Sequence, residues 1–245
     1  MTQTATRIGT GTAVRAQDLH RAYGHGNAAV RALRGVSVDL SPGTFTAVMG
    51  PAGSGRTTLL HCLAGLDRPT RGSVRWGGTE VTRLPVRRLA ELRRDRVGFV
   101  SRAFNLMPAM TVGQHLALPG LPGPDRVREV LGRVGLAGYE RHRPGQLTGD
   151  QQQRVAIARA LVARPAVLFA DEPAGALGPA AGREIAALLR AGADREGQTC
   201  VLVTDDPVAA ACADRVLLLA DGLVADELHR PAAARIGERL GVLGG

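Results

Sequence analysis

The chain has 245 residues, of which 44% are hydrophobic and only 3% aromatic, and its formal net charge is +9. This length predicts one α/β domain with an aliphatic core and room for a smaller subdomain. The arginines are spread along the chain without interleaved aromatics, which favours a generic basic surface over a nucleic-acid partner. The 3 cysteines are far apart, and no stretch is apolar for long enough to cross a membrane, which argues against a disulfide framework, a zinc site or a membrane span.

In chain order, residues 1–11 are expected to form a flexible leader, 12–230 the main domain, and 231–245 a C-terminal tail or helix. Alternating apolar and polar residues at 14–23 and 30–40 predict antiparallel strands. Residues 101–163 read as a helical insertion and not as part of a sheet. Beyond residue 165, apolar strands alternate with helices, as they do around a parallel sheet.

The stretch 43–60, GTFTAVMGPAGSGRTTLL, predicts a buried strand, a glycine-rich loop and a helix. Gly50, Gly53 and Gly55 would bring several backbone N–H groups to the helix N-terminus, where anions bind. Against the P-loop pattern G-x-x-x-x-G-K-[ST], Gly50 and Gly55 fit and Thr57 supplies a hydroxyl for Mg²⁺. Arg56 stands where the pattern has lysine. The alternative interpretation of this stretch alone is a chance glycine turn.

Three more motifs follow the loop: LTGDQQQRVAIARAL at 147–161, VLFADEP at 167–173 and VLVTDDP at 201–207. In this order they resemble the nucleotide-binding domain of ATP-binding cassette (ABC) transporters, closest to the lipoprotein-release and macrolide-export branch. The resemblance implies an α/β P-loop NTPase core, with a mostly parallel sheet and flanking helices. It also implies an antiparallel β subdomain and an inserted helical subdomain at about 101–163.

The resemblance also implies roles for individual residues, with ATP and Mg²⁺ as cofactors. Tyr23 would stack on adenine, although a buried structural tyrosine is the alternative; Asp171 would hold Mg²⁺ through water, together with Thr57; and Glu172 would be the general base. The expected nucleotide-binding residues are Tyr23, Gly50, Pro51, Ala52, Gly53, Ser54, Gly55, Arg56, Thr57 and Thr58. The expected signature residues, which would face a second domain, are Thr148, Gly149, Asp150 and Gln151.

Five positions depart from the family pattern, and all of them concern chemistry. Arg56 replaces the phosphate-binding lysine, and Arg102 stands where the family has the glutamine that touches Mg²⁺. Asp150 replaces the second glycine of LSGGQ, Gly178 a dimer-interface aspartate, and Asp205 the histidine that donates to the γ-phosphate. These changes predict that hydrolysis is weak or absent. Because the backbone N–H nest does not depend on the side chain at position 56, Mg-ATP is still expected to bind, with reduced affinity.

The resemblance implies two partners, a membrane permease subunit and a second nucleotide-binding domain, which would be identical or homologous. It places the chain in the cytoplasm, on the inner face of the membrane through the permease. In a dimer without nucleotide, Arg56 and Arg102 could pair with Asp150 and Asp205 of the other chain. Three alternatives remain open: a transport ATPase with slow hydrolysis, a non-hydrolysing regulatory or structural partner of a permease, and a soluble ABC protein outside transport.

Overall fold

The computed structural model describes residues 13–24, 26–117, 123–175 and 177–243. The expected leader at 1–11 lies outside these residues. The strands are β1 (Val14–Tyr23), β2 (Val30–Leu40), β3 (Phe45–Met49), β4 (Arg71–Trp76), β5 (Thr79–Glu80), β6 (Val97–Val100), β7 (Val167–Asp171), β8 (Thr199–Val203), β9 (Arg215–Ala220) and β10 (Leu223–His229). The helices are α1 (Arg56–Leu63), α2 (Val86–Arg96), α3 (Val112–Leu116), α4 (Pro124–Arg133), α5 (Gly149–Val162), α6 (Pro179–Glu196), α7 (Pro207–Ala210) and α8 (Ala233–Leu243).

The strands form two sheets. The larger has six strands in the order β10-β9-β3-β8-β7-β6, all parallel except β10, which is antiparallel to β9. The smaller is antiparallel, in the order β2-β1-β4-β5. The predicted fold class is therefore confirmed: an α/β core with a mostly parallel sheet, together with an antiparallel β subdomain and helices.

Strand β3 separates two hydrophobic cores. Phe45, Ala47 and Met49 belong to the core on the side of α3 to α8, whereas Val48 belongs to the core beneath α1 and the antiparallel sheet. Side chains alternate between the two faces of a strand, so a strand covered on both faces has to be apolar throughout. This explains why the central strands are mostly apolar, and their packing fixes where the loop after β3 emerges.

The structure departs from the expected elements mainly near the C-terminus. Strand β10 is not among the predicted strands. Its residues alternate between exposed and half-buried, and none of them is fully buried. It forms an edge strand, whose existence depends on pairing with β9. Helix α8 lies within the expected tail or helix at 231–245, and α3 to α5 lie within the expected helical insertion. Among the described helices, none combines the length and the hydropathy needed to cross a lipid bilayer.

Candidate nucleotide-binding site

The loop from Gly50 to Gly55 connects β3 to α1 in a shape that only glycine allows at both ends. Gly50 has φ 151° and Gly55 has φ 98°. A Cβ atom at Gly50 would lie 2.1 Å from the Leu219 carbonyl oxygen, and one at Gly55 would lie 2.3 Å from the Ala32 carbonyl oxygen. At Gly53, by contrast, an added Cβ would meet nothing within 4 Å. The loop is thus held tightly at its ends and open at its centre.

Two polar atoms at this loop are buried without a hydrogen-bond partner among the described residues: Ser54 Oγ and Arg56 Nη1. The Arg56 side chain is only 13% exposed. A buried donor without a partner costs free energy, so such groups normally mark a place where a ligand or water binds. Together with the first-turn N–H groups of α1, they form a cradle that fits a polyphosphate.

Asp171 ends β7 beside Thr57 and His61. The Thr57 hydroxyl donates to Asp171 Oδ1 at 3.0 Å, and His61 Nε2 lies 3.5 Å from Asp171 Oδ2. A hydroxyl and a carboxylate are hard oxygen ligands of the kind Mg²⁺ prefers, so the expected pair fits this metal. His61 is not among the site residues predicted from the sequence. His61 follows Thr57 by four residues, which places both side chains on one face of α1. This spacing was the sequence signal that could have placed His61 beside Thr57.

Glu172 follows Asp171 and has φ 41°, in the left-handed region that non-glycine residues seldom occupy. Its backbone N–H donates to the Val203 carbonyl oxygen at 3.0 Å. Its two carboxylate oxygens contact different arginines: Oε1 lies 3.4 Å from Arg56 Nη2, and Oε2 lies 3.2 Å from Arg102 Nη1. The carboxylate of the expected general base is therefore paired on both sides, and its side chain is 23% exposed.

The sheet register brings Arg102 to Glu172. Strands β6 and β7 are parallel with Val100 opposite Ala170, so the residues two positions further along, Arg102 and Glu172, leave the same edge together. The Arg102 stem lies against Gly175, where an added Cβ would come within 3.3 Å of Arg102 Cγ. The sequence singled out both charged residues but did not predict that they pair.

Tyr23 is 41% exposed and therefore is not a buried core tyrosine. Its hydroxyl donates to Asp67 Oδ2 at 2.8 Å and lies 3.5 Å from the Thr58 hydroxyl. The Arg21 guanidinium lies over the ring at 4.4 Å from its centroid and also donates to Asp67 at 2.8 Å. Burial raises the pKa of Asp67, but hydrogen bonds from Tyr23, Arg21 and the Arg68 N–H outweigh it, and the net pKa is lowered. The ring is thus fixed beside α1.

The signature residues lie away from the loop, at the N-terminus of α5. The Thr148 hydroxyl accepts from Gln151 N–H at 3.3 Å, while Gln151 Oε1 accepts from Thr148 N–H at 2.9 Å, as the capping pattern predicts. Asp150 pairs with Arg154 at 2.8 Å, and Gly149 lies beside Leu177. In the described part of the chain, none of their hydrogen bonds or ion pairs reaches the phosphate loop.

Two other divergent positions, Gly178 and Asp205, lie just before helices α6 and α7. Gly178 has φ 87° and directly precedes α6. Asp205 is exposed at the carboxyl edge of the sheet, whereas its neighbour Asp206 caps α7 by accepting from Val208 N–H at 2.8 Å. Arg56 and Arg102 each pair with Glu172, and Asp150 pairs with Arg154. Pairing of these arginines with Asp150 of a second chain would have to replace those contacts.

A family model described as ABC transporter matches residues 33–175, which include the loop, the signature and Glu172. The chain belongs to the ABC transporter family. It is 46% identical over 194 residues to an uncharacterized ABC transporter ATP-binding protein of Thermotoga maritima, with 76% of this chain and 82% of that protein covered. It is 42% identical over 220 residues to the macrolide export ATP-binding/permease protein MacB of Syntrophobacter fumaroxidans, with 86% of this chain covered.

The chain spans about a third of the length of that MacB relative, 31%. Among solved structures, it is similar to a dimeric structure of the ATP-binding cassette MJ0796, in a post-hydrolysis state bound to ADP and Pi. The TM-score is 0.82 and the sequence identity 35%, with 89% of this chain and 99% of that chain covered. These findings confirm the resemblance and the P-loop fold inferred from the motifs.

Proposed function

We propose that this chain is the ATP-binding subunit of an ABC transporter, that it binds Mg-ATP and acts at the inner face of a membrane through a permease, and that it hydrolyses ATP weakly or not at all. The observation that carries the proposal is the loop cradle beside a general-base carboxylate already paired with two arginines. The cradle supports binding, whereas the pairs oppose hydrolysis. The two halves can be tested separately.

Binding is supported by the open centre of the loop and by the buried N–H groups around it. Thr57 and Asp171 would hold Mg²⁺, which, when bound, neutralises charge on the phosphates. Titration of the purified chain with a fluorescent ATP analogue should show saturable binding. Gly53→Asp should weaken binding at least about tenfold, because a carboxylate in the nest repels phosphate. Gly77→Asp is the matched control, since Gly77 also has positive φ and equally open space. No binding at millimolar nucleotide would refute this half.

Weak hydrolysis is supported by the surroundings of Glu172. Each oxygen of the Glu172 carboxylate lies beside a guanidinium group, so the two arginines compete with water for the atoms that would orient it. Asp205 in its ionised form can only accept hydrogen bonds. Loss of one preorganised catalytic group slows a chemical step about 10²–10³-fold. A phosphate-release assay, with the chain alone and with its permease, should detect almost no turnover; about one turnover per second would refute this half.

Coupling to a permease is supported by the MacB relative, whose name joins both activities, and by a groove of about 280 Å³ between α1, α2 and β6. Its apolar wall includes Leu66, Val97 and Phe99, and Arg93 and Arg94 line it as well. This chemistry fits an acidic permease segment with an apolar anchor. Leu66→Arg should abolish co-purification with a co-expressed permease partner, whereas Val242→Arg, at another exposed apolar residue, should not. Equal recovery of both variants would exclude this groove.

A non-hydrolysing regulatory partner of a permease is the second candidate, and the same paired carboxylate favours it. The phosphate-release assay in the presence of the permease separates it from a slow transport ATPase. A soluble ABC protein outside transport would bind nucleotide but would not co-purify with a permease.

A further inference from the structure

We infer that the start of helix α2 forms a surface that docks on the headgroups of anionic lipids. This surface, called here the basic face, consists of Arg83, Arg87, Arg88 and the exposed Val86. The inference rests on the proposed function only for the position of the chain at a membrane. It goes beyond that function because it adds a direct contact between this chain and the lipid.

The three arginines of the basic face extend into solvent from a fixed backbone. The side chains of Arg83, Arg87 and Arg88 are 90%, 94% and 63% exposed. On the opposite side of α2, Leu89 is buried in the core beneath the antiparallel sheet, and Leu92 packs against that core. The long arginine side chains can therefore reach outward while the helix that carries them stays in place.

The neighbouring acids leave part of this positive charge uncompensated. Arg87 and Arg88 share a single carboxylate, that of Glu91, at 3.6 and 3.0 Å. Arg83 lies 3.6 Å from Glu80, and a further arginine lies 3.7 Å from the other oxygen of Glu80. Such exposed pairs are weak in water, so the guanidinium groups can exchange them for contacts with an external anion.

Helix stability does not account for these arginines. Residues 83–96 contain six arginines and two acids, which is a net charge of +4 out of the +9 of the whole chain. Arg87 and Arg88 lie in the first turn of α2, which contains no acidic residue. The N-terminus of a helix carries a partial positive charge, so basic side chains are locally unfavourable there. An anionic surface outside the protein would offset this cost.

An exposed apolar residue favours lipid over other polyanions. Val86 is 75% exposed and lies between Arg83 and Arg87 in the sequence. Segments that bind at a membrane surface combine basic side chains, which contact headgroups, with apolar side chains, which enter the boundary of the acyl chains. Residues 83–96 contain no aromatic side chain on which nucleic-acid bases could stack.

The basic face continues into the groove proposed for the permease. Ala90 and Arg94 of α2 line that groove, and Arg87 precedes Arg94 by seven residues. This spacing corresponds to about 10 Å along a helix. A permease lies in the bilayer, so a chain held by the groove would bring the start of α2 close to the headgroups. Charge complementarity and this continuity favour the same occupant.

Co-sedimentation of the purified chain with lipid vesicles, without nucleotide or permease, tests the inference. We expect binding to vesicles that contain phosphatidylglycerol to be at least about tenfold stronger than to vesicles of phosphatidylcholine alone, and to weaken at high salt. Combining Arg83→Gln, Arg87→Gln and Arg88→Gln should lower binding at least about tenfold, since one basic side chain near an anionic membrane contributes about fivefold.

The matched control combines Arg128→Gln, Arg230→Gln and Arg235→Gln. These side chains are 65%, 84% and 58% exposed on other segments, and their replacement removes the same net charge. This control should lose less than about threefold in binding. Val86→Ser should lose at least about threefold, because its apolar contact is gone, whereas Val242→Ser, at a side chain of a residue that is 73% exposed, should lose less.

Equal binding to the two kinds of vesicle, or equal losses in the two triple variants, would overturn the inference. Equal binding by Val86→Ser and Val242→Ser would overturn it as well, because arginines alone would bind any polyanion. Binding to duplex DNA through the same three arginines, without binding to vesicles, would assign the basic face to nucleic acid instead. Absence of vesicle binding leaves the nucleotide and permease proposals intact, whereas vesicle binding without permease co-purification would remove only the proposed coupling.

Discussion

The paired carboxylate of Glu172 is the residue-scale feature with the clearest consequence for activity. Arg56 and Arg102 each contact one of its oxygens. We expect the double substitution Arg56→Lys with Arg102→Gln to raise phosphate release in Mg-ATP at least about tenfold, because it frees the carboxylate oxygens to orient water. Single-turnover phosphate release is the measurement. Arg83→Gln with Arg87→Gln, two exposed arginines, is the control. Unchanged release would mean that the pairs with Glu172 do not limit the reaction.

Tyr23 combines an exposed ring with a fixed hydroxyl, so its two parts can be tested separately. Tyr23→Ala should weaken nucleotide binding by about 1–3 kcal/mol, the usual contribution of one stacked base. Tyr23→Phe keeps the ring beneath Arg21 and loses only the hydrogen bond to Asp67, so its affinity should stay close to that of the unaltered chain. Titration of both variants decides the role. Equal affinities for the two would exclude stacking on the ring.

At the scale of elements, α5 begins with a reciprocal cap that the sequence encodes. Thr148 and Gln151 satisfy each other's backbone N–H groups, and Asp150 adds a negative charge in the first turn. Thr148→Ala should lower the free energy of unfolding by about 0.5–2 kcal/mol, because a first-turn N–H loses its partner. Denaturant unfolding measures this loss. Thr148→Ser retains the hydroxyl and should cost much less; a comparable loss in both variants would assign the effect to the methyl group.

At the scale of the whole molecule, Asp214 joins the central sheet to α6. Its Oδ2 accepts from Phe45 N–H at 3.0 Å and from Arg190 Nη1 at 2.8 Å. Burial raises the pKa of Asp214, but these hydrogen bonds and the nearby arginines outweigh it, and the net pKa lies below the ordinary value of 3.8. A lowered folded-state pKa stabilises the fold above the ordinary pKa, and this stabilisation is lost as the pH falls below 3.8 through the folded pKa.

The free energy of unfolding should therefore fall as the pH drops below 3.8, and it should fall less steeply in Asp214→Asn, which has no charge to lose. Asp125→Asn is the control, since that side chain is 94% exposed at the start of α4. Urea unfolding at a series of pH values gives the slopes. An identical pH dependence in Asp214→Asn and the unaltered chain would contradict the assignment.

The sequence alone determined those features that depend on local spacing. A run of apolar residues, glycines at Gly50 and Gly55, and the Thr148–Gln151 spacing each specify their element within a few residues. The order of four such motifs was enough for the family and the fold class. It was also enough to single out Glu172, Arg56 and Arg102 as candidate catalytic and phosphate-binding positions.

Only the tertiary structure decided how those positions meet. Arg102 lies beside Glu172 because Val100 pairs with Ala170 in the parallel register of β6 and β7, and no local pattern encodes a register between strands so far apart in the chain. His61 beside Asp171 and the edge strand β10 depend in the same way on contacts between segments. Local periodicity fixes the elements, whereas the packing of apolar faces fixes which side chains share an edge.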